Sequence, residues 1–270
     1  MATFQLHAAL TTPFRDDGAV DLEALRGHVE LLADDGLDGI VPAGTTGEGP
    51  LLEEAEVASV IATAVQAAAG RMEVVAHVGR ASTPATLRLA RAAASAGADA
   101  LIAIVPYYYA HPPEALLSHY RALLETVDDV PVLAYTFPDR AGNELPAEVL
   151  DTLAGEGLAG LKDSTRSPER HAEYLDVARR HDGLRVFSGT ERLALQSLEA
   201  GGAGSISALA NARADVLHRV RDERSDAAQA AVNDAHDGLS GIPAVKQAVA
   251  ERLAERGVTY PVASRAPVGV

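Results

Sequence analysis

A chain of 270 residues, 47% of them hydrophobic and 23% charged, is the length of one large domain and too apolar for a disordered chain. Its 38 acidic against 23 basic side chains leave a formal charge of −15, the wrong sign for holding phosphate backbones or anionic lipid by general electrostatics, so nucleic-acid and membrane partners are disfavoured. The absence of cysteine excludes disulfides, thiolate nucleophiles, zinc fingers and iron–sulfur clusters together.

The first ten residues carry no basic segment followed by a long apolar run, and nowhere do 18 apolar residues stand together. A cytoplasmic location is the expectation. Along the chain, short apolar runs suited to buried parallel strands fall at residues 6–10, 39–43, 73–78, 100–105, 131–136, 158–161, 184–187 and 204–208. Between them lie segments with helical spacing, such as Leu22, Leu25, Val29 and Leu32 in the first and Leu87, Leu89, Ala90, Ala93 and Ala94 in the third. Asp21, Thr83-Pro84, Pro112-Pro113 and Ser167-Pro168 are helix-start signals, and Gly36, Gly70, Gly97 and Gly183 suit helix exits. Eight such units predict a closed (β/α)8 TIM barrel, with an open doubly wound sheet as the alternative. Further helical stretches at 212–224, 226–239 and 244–256 divide the chain into a catalytic barrel over 1–224 and a C-terminal helical extension over 225–270, packed on the barrel.

Polar chemistry in a barrel belongs at the carboxyl ends of its strands. The second strand runs into Gly44-Thr45-Thr46-Gly47-Glu48-Gly49-Pro50, whose free amides and two hydroxyls could hold a carboxylate or phosphate, or simply form a tight turn. The fourth ends in Pro106-Tyr107-Tyr108-Tyr109; three adjacent phenols cannot all face a core. The fifth ends in Tyr135-Thr136-Phe137-Pro138-Asp139-Arg140, a phenol at the mouth with a guanidinium beyond it, which a rim ion pair would explain equally well. The sixth ends in Gly160-Leu161-Lys162-Asp163-Ser164. Of the 23 basic residues only Lys162 and Lys246 are lysine, leaving 21 arginines. A chain that uses arginine for positive charge yet keeps lysine at a strand end points to a need for an amine that can deprotonate, attack a ketone and form an imine. The competing reading pairs Lys162 with Asp163; Lys246, on a C-terminal helix with Val245 and Val249, reads as structural.

These residues resemble the pyruvate-dependent class I aldolases and lyases typified by dihydrodipicolinate synthase, N-acetylneuraminate lyase and 2-keto-3-deoxygluconate aldolase. The match runs from Leu10-Thr11-Thr12-Pro13-Phe14 through Gly44 to Glu48, Tyr135, Gly160 to Asp163 and Ser188-Gly189, ending at Gly204-Ser205-Ile206-Ser207. The resemblance implies a barrel with extra C-terminal helices, a homotetramer, small-molecule substrates and no metal or organic cofactor. It makes Lys162 the Schiff-base lysine, Tyr135 the proton carrier, and Thr45 and Thr46, with Gly47, the turn that holds the keto-acid carboxylate, Thr45 also linking to Tyr135. Tyr108 becomes the tyrosine that reaches into a neighbouring subunit. Gly189, Thr190, Glu191 and Ser207 become the wall that reads the far end of the substrate.

Arg140, in Pro138-Asp139-Arg140-Ala141-Gly142, keeps the spacing with which dihydrodipicolinate synthases bind a second carboxylate, and would equally face a sugar phosphate. Gly49-Pro50, the tyrosine run and Tyr260-Pro261 point instead to sugar-acid aldolases, and Thr136 replaces the asparagine that often follows the family's tyrosine. The expectation therefore places cleavage of a 2-keto-3-deoxy sugar acid, or its 6-phosphate, first. Dihydrodipicolinate synthase comes second, then a deoxy-keto sugar acid dehydratase. A catalytically silent barrel is disfavoured by the joint presence of Lys162, Tyr135 and the threonines. A zinc-dependent aldolase is disfavoured by histidines that show no paired ligand motif.

Overall fold

The computed structural model describes residues 3–268. Eight strands, β1 (Gln5–Ala9), β2 (Gly39–Val41), β3 (Glu73–His77), β4 (Ala100–Ile104), β5 (Val132–Thr136), β6 (Gly160–Asp163), β7 (Arg185–Ser188) and β8 (Gly204–Ser207), pair in sequence order. Every pairing is parallel, and β8 returns to β1 with Gln5 opposite Gly204. The barrel is closed, so the open sheet is excluded. Closure removes both sheet edges, and burial on both faces is why the strands read as apolar runs without alternation.

The helices outside are α1 (Leu22–Asp34), α2 (Glu54–Ala68), α3 (Thr83–Ser95), α4 (Pro113–Thr126), the short α5 (Pro138–Ala141), α6 (Ala147–Gly155), α7 (Pro168–Ala178), α8 (Ala194–Glu199) and α9 (Ala214–Glu223). Their starts follow local chemistry: Asp21 accepts from the Ala24 amide, and Ser167 accepts from that of Arg170. Gly36, Gly70, Gly97 and Gly183 all take positive φ where helices α1, α2, α3 and α7 hand over to the next strand. α1 buries Leu25, Val29 and Leu32 against the barrel but leaves Leu22 over a third exposed.

Two boundaries differ from the apolar pattern in a way that matters. The sixth apolar run, 158–161, predicts a strand that starts two residues early: the strand is Gly160–Asp163, and Leu158 still belongs to the exit of α6, its amide donating to Leu153 O. Lys162 and Asp163 are therefore strand residues, and period-2 alternation sends them to opposite faces. The last two helices, α10 (Asp226–Gly238) and α11 (Gly241–Ala254), cover different parts of the barrel. Ala228 and Val232 of α10 join the main core, while Val245, Val249 and Leu253 of α11 pack with Ala24 and Leu31 of α1 and with Tyr260.

Candidate active site

Register decides who meets whom. Tyr135 on β5 lies opposite Lys162 on β6, and Lys162 opposite Phe187 on β7. Neighbours at one level of a parallel barrel point the same way, so phenol and amine both enter the interior. Lys162 Nζ stands 4.4 Å from the centre of the Tyr135 ring, with both residues buried. Tyr135 Oη is 3.3 Å from Thr45 Oγ1 on the loop after β2. Three strand ends thus converge on one point.

Asp163 does not pair with Lys162. It faces the helix layer, where Oδ2 lies 2.9 Å from His171 Nδ1 on α7 and Oδ1 accepts from the Thr165 amide. His171 Nε2 in turn lies 2.9 Å from Ser197 Oγ. This buried chain fixes the end of β6 from behind and leaves the amine without a carboxylate partner among the described residues.

A cavity of about 430 Å³ opens above Lys162. Thr45, Thr46, Tyr135, Arg140, Gly189, Thr190 and Glu191 line it, as the sequence reading expects. Gly47, Ser207 and Tyr108 do not. Gly47 lies under the turn, its carbonyl accepting from Thr12 Oγ1 at 2.7 Å. Ser207 is buried and donates to Glu191 Oε1 at 2.5 Å. Tyr108 is 85% exposed, stacked edge-on against Tyr109. Gly189 has a packing reason for its identity: an added Cβ would stand 2.0 Å from Ser164 Oγ and 3.1 Å from Lys162 Cε.

Glu191 is not a free carboxylate. Oε1 also accepts from the Leu209 amide, and Oε2 lies 3.4 Å from His236 Nδ1 on α10. Burial raises its pKa, but hydrogen bonds from His236, Ser207 and backbone amides outweigh that and bring it down to about 2. His236 is raised by the same hydrogen bond. Below the site, His77 sets its ring edge-on to Tyr135 with centroids 6.1 Å apart. Burial, then the charges of Arg80 and Lys162, push its pKa down to about 3, so it stays neutral.

Arg166, Arg192 and His236 also line the cavity, and the sequence reading missed them. Arg166 follows Lys162 by four residues in a strand-end loop, the region already known to matter; His236 comes from α10 and had no local signal. Of the six non-glycine residues with positive φ among those described, Ala43, Glu48, Tyr108 and Arg166 stand at the carboxyl ends of β2, β4 and β6, while Ala69 and Arg224 merely end helices. Such strain gathers where function constrains the backbone.

The second lysine has a different task. Lys246 Nζ, fully buried, donates to Glu48 Oε1 at 2.5 Å and to Ala263 O at 2.7 Å, and lies 4.5 Å from the centre of the Phe14 ring. Glu48 Oε2 accepts from the Arg265 amide at 2.8 Å. The turn bearing Thr45 and Thr46 is thereby anchored to α11 and to the segment that follows it.

A closed eight-stranded barrel with an amine, a phenol and a threonine turn at its carboxyl end is the arrangement expected of the class I, pyruvate-dependent aldolases and lyases that the sequence resembles. The comparisons narrow this further. The profile of the Dihydrodipicolinate synthetase family matches residues 3–269, and the chain belongs to that family. The 4-hydroxy-tetrahydrodipicolinate synthase of Chlorobium luteolum is 39% identical over 231 residues, covering 84% of this chain and 77% of its own. That of Thiobacillus denitrificans is 40% identical over 213 residues, covering 78% and 71%. The crystal structure of dihydrodipicolinate synthase from Aquifex aeolicus superposes with a TM-score of 0.86 at 29% identity, covering 98% of this chain and 93% of that one.

These findings overturn the order of the sequence reading, which put the sugar-acid aldolase first. Of the features behind that order, Gly49-Pro50 and Tyr260 serve the fold, as does Thr136, and the tyrosine run 107–109 lies outside the cavity lining. Gly49-Pro50 opens a short 3₁₀ turn in which a Cβ on Gly49 would lie 1.9 Å from Ala43 O. Tyr260 is buried with its hydroxyl 2.7 Å from Thr11 Oγ1, and Thr136 Oγ1 accepts from the Leu145 amide. None of the three touches the cavity, so none reads a substrate.

Proposed function

We propose that this enzyme is a 4-hydroxy-tetrahydrodipicolinate synthase, joining pyruvate to aspartate semialdehyde, and that Lys162, Tyr135, Thr45 and Thr46 carry the chemistry. The observation behind this reading is a single cavity with Lys162, Tyr135 and the two threonines at its floor and the Arg140 guanidinium on its wall. The Lys162 amine attacks C2 of pyruvate and water leaves, giving an imine. With the pyruvate carboxylate on the Thr45-Thr46 turn, the imine draws electrons from C3, a C3 proton departs, and the resulting enamine attacks the aldehyde carbon. A C–C bond forms, and the aldehyde oxygen takes a proton delivered through Tyr135, whose hydroxyl lies within reach of Thr45. The amino group of the former semialdehyde then adds to C2, closing a six-membered ring and releasing the lysine as free amine.

Arg140 holds the second carboxylate, while Gly189, Thr190 and the spent Glu191, supported by Ser207, shape the far wall. Gly47 supports the threonine turn. Tyr108 is turned away from its own cavity, which suits a phenol completing the relay of a neighbour in a homotetramer. No helix among the described residues is long and apolar enough to cross a membrane, in keeping with cytoplasmic work on small metabolites.

The test is direct. Wild-type enzyme should condense pyruvate with aspartate semialdehyde, and pyruvate with borohydride should leave its adduct on Lys162. Arg140→Ala removes a charge-assisted contact worth about 1.5–3 kcal/mol, so KM for the semialdehyde should rise about 10- to 100-fold while pyruvate trapping persists. No condensation by the wild type, or an adduct on Lys246, overturns the proposal.

A further inference from the structure

Arg166 occupies a backbone position made for glycine. Its φ is +61°, a region that side chains disfavour. The loop around it does not need the guanidinium. Asp163 Oδ1 receives the Thr165 amide, and Ser167 caps α7 through the Arg170 amide, without any help from the Arg166 side chain. That side chain reaches back across the mouth of the barrel. Its guanidinium carbon lies 5.5 Å from the centre of the Phe137 ring, and Nη1 donates to Asp139 Oδ2 at 3.2 Å.

Both partners of this ion pair are more than 60% exposed, and an exposed pair contributes almost nothing to stability. Arg166 therefore sits against its backbone preference for a small return to the fold, an exposed ion pair and one ring contact, yet it lines the cavity. Asp139 immediately precedes Arg140, so the pair places the two guanidinium-bearing loops, after β5 and after β6, side by side. The charges facing this part of the cavity are unequal. Arg140 has no carboxylate partner among the described residues, Arg166 has only the exposed Asp139 and Arg192 is paired with Asp237, while the Glu191 carboxylate is already held by Ser207, the Leu209 amide and His236.

We propose that Arg166 is a second guanidinium for the distal carboxylate of the aldehyde substrate, acting beside Arg140. Asp139 holds it on the wall until the substrate carboxylate takes its place. The inference rests on the reading that the acceptor aldehyde bears a carboxylate, and it names the group that shares its recognition. A guanidinium presents paired donors to a carboxylate, so two from adjacent loops fix its direction as well as its charge.

The experiment uses Arg166→Gly, which suits φ of +61° and should leave the thermal midpoint no lower than wild type. KM for aspartate semialdehyde should rise about tenfold or more, with KM for pyruvate unchanged. A merely structural residue would lower the midpoint or weaken both substrates alike. A second measurement does not depend on condensation. The adduct of pyruvate and the semialdehyde has a seven-carbon skeleton with a carboxylate at each end. Borohydride trapping on Lys162 is therefore compared for 2-oxoheptanedioate and for 2-oxoheptanoate, which lacks the far carboxylate. Wild type should favour the diacid, and Arg166→Gly should erase about tenfold of that preference.

An unchanged diacid preference and unchanged semialdehyde KM in the variant, or no preference in the wild type, overturns the role of Arg166. If the wild type fails to condense the semialdehyde but its diacid preference is lost in Arg166→Gly, the choice of aldehyde is wrong and the anion-holding role stands.

Discussion

Replacing Lys246 with methionine tests whether the threonine turn is held by a buried charge pair rather than by its own sequence. In the native chain both Lys246 and Glu48 are wholly removed from solvent, at an Nζ to Oε1 distance of 2.5 Å. Lys246→Met keeps the length and apolar stem of the side chain but leaves Glu48 buried with only the Arg265 amide, and Ala263 O loses its donor. Removing one partner of such a pair costs about 3–5 kcal/mol, most of it the uncompensated charge. With an unfolding entropy of about 2.1 cal/mol/K per residue, a chain of 270 residues has roughly 0.57 kcal/mol/K, so Tm should fall by about 5–9 °C. Calorimetry at fixed protein concentration measures this, since assembly alters Tm by mass action. Adding Glu48→Gln neutralises the stranded charge and keeps an acceptor for the Arg265 amide; the double variant should recover part of the loss. A Tm within about 1 °C of wild type in Lys246→Met, or a double variant less stable than the single one, would refute the reasoning. The same variant leaves Lys162 as the sole lysine, so its borohydride adduct with pyruvate should survive.

Two further outcomes follow from the geometry. Tyr135→Phe preserves the ring below the amine but removes the hydroxyl 3.3 Å from Thr45, so kcat should fall about 10²- to 10⁴-fold while pyruvate is still trapped on Lys162; near-normal turnover would take Tyr135 out of the proton path. Buried His7, His28 and His77 all have pKa values pushed down to about 3, chiefly by burial. Once unfolded they take up protons near their model value of 6.5, so between the two values the unfolded state binds more protons, and stability present above pH 6.5 is lost as pH falls toward 3. Urea midpoints at pH 7, 6 and 5 should show this, with a slope of about 1.4 kcal/mol per pH unit for each histidine once fully developed. His28→Gln, remote from the cavity, should flatten that slope by one histidine's share; an unaltered slope would show that His28 does not remain neutral.

Most of the barrel and half of the site were legible along the chain because both rest on local rules. Buried parallel strands read as apolar runs, helix starts carry Asp21 and Ser167, and chemistry gathers at strand ends, which is enough to single out Lys162, Tyr135 and the threonine turn. The scarcity of lysine added a chemical argument that no geometry was needed to make. What the chain could not disclose depends on residues that are distant in sequence or on the direction of a side chain. A two-residue error in the start of β6 hid the fact that Asp163 faces α7 and His171 rather than the lysine. Glu48 and Lys246 are separated by 198 positions, and Glu191 meets Ser207 and His236 only because the barrel closes and α10 folds over its mouth. Whether a polar side chain is free to meet a substrate or already spent on a neighbour is settled by tertiary contacts: Glu191 looked available and is not, while Arg166, unremarked in the sequence, stands at the cavity wall with an exposed carboxylate and the Phe137 ring to hold it.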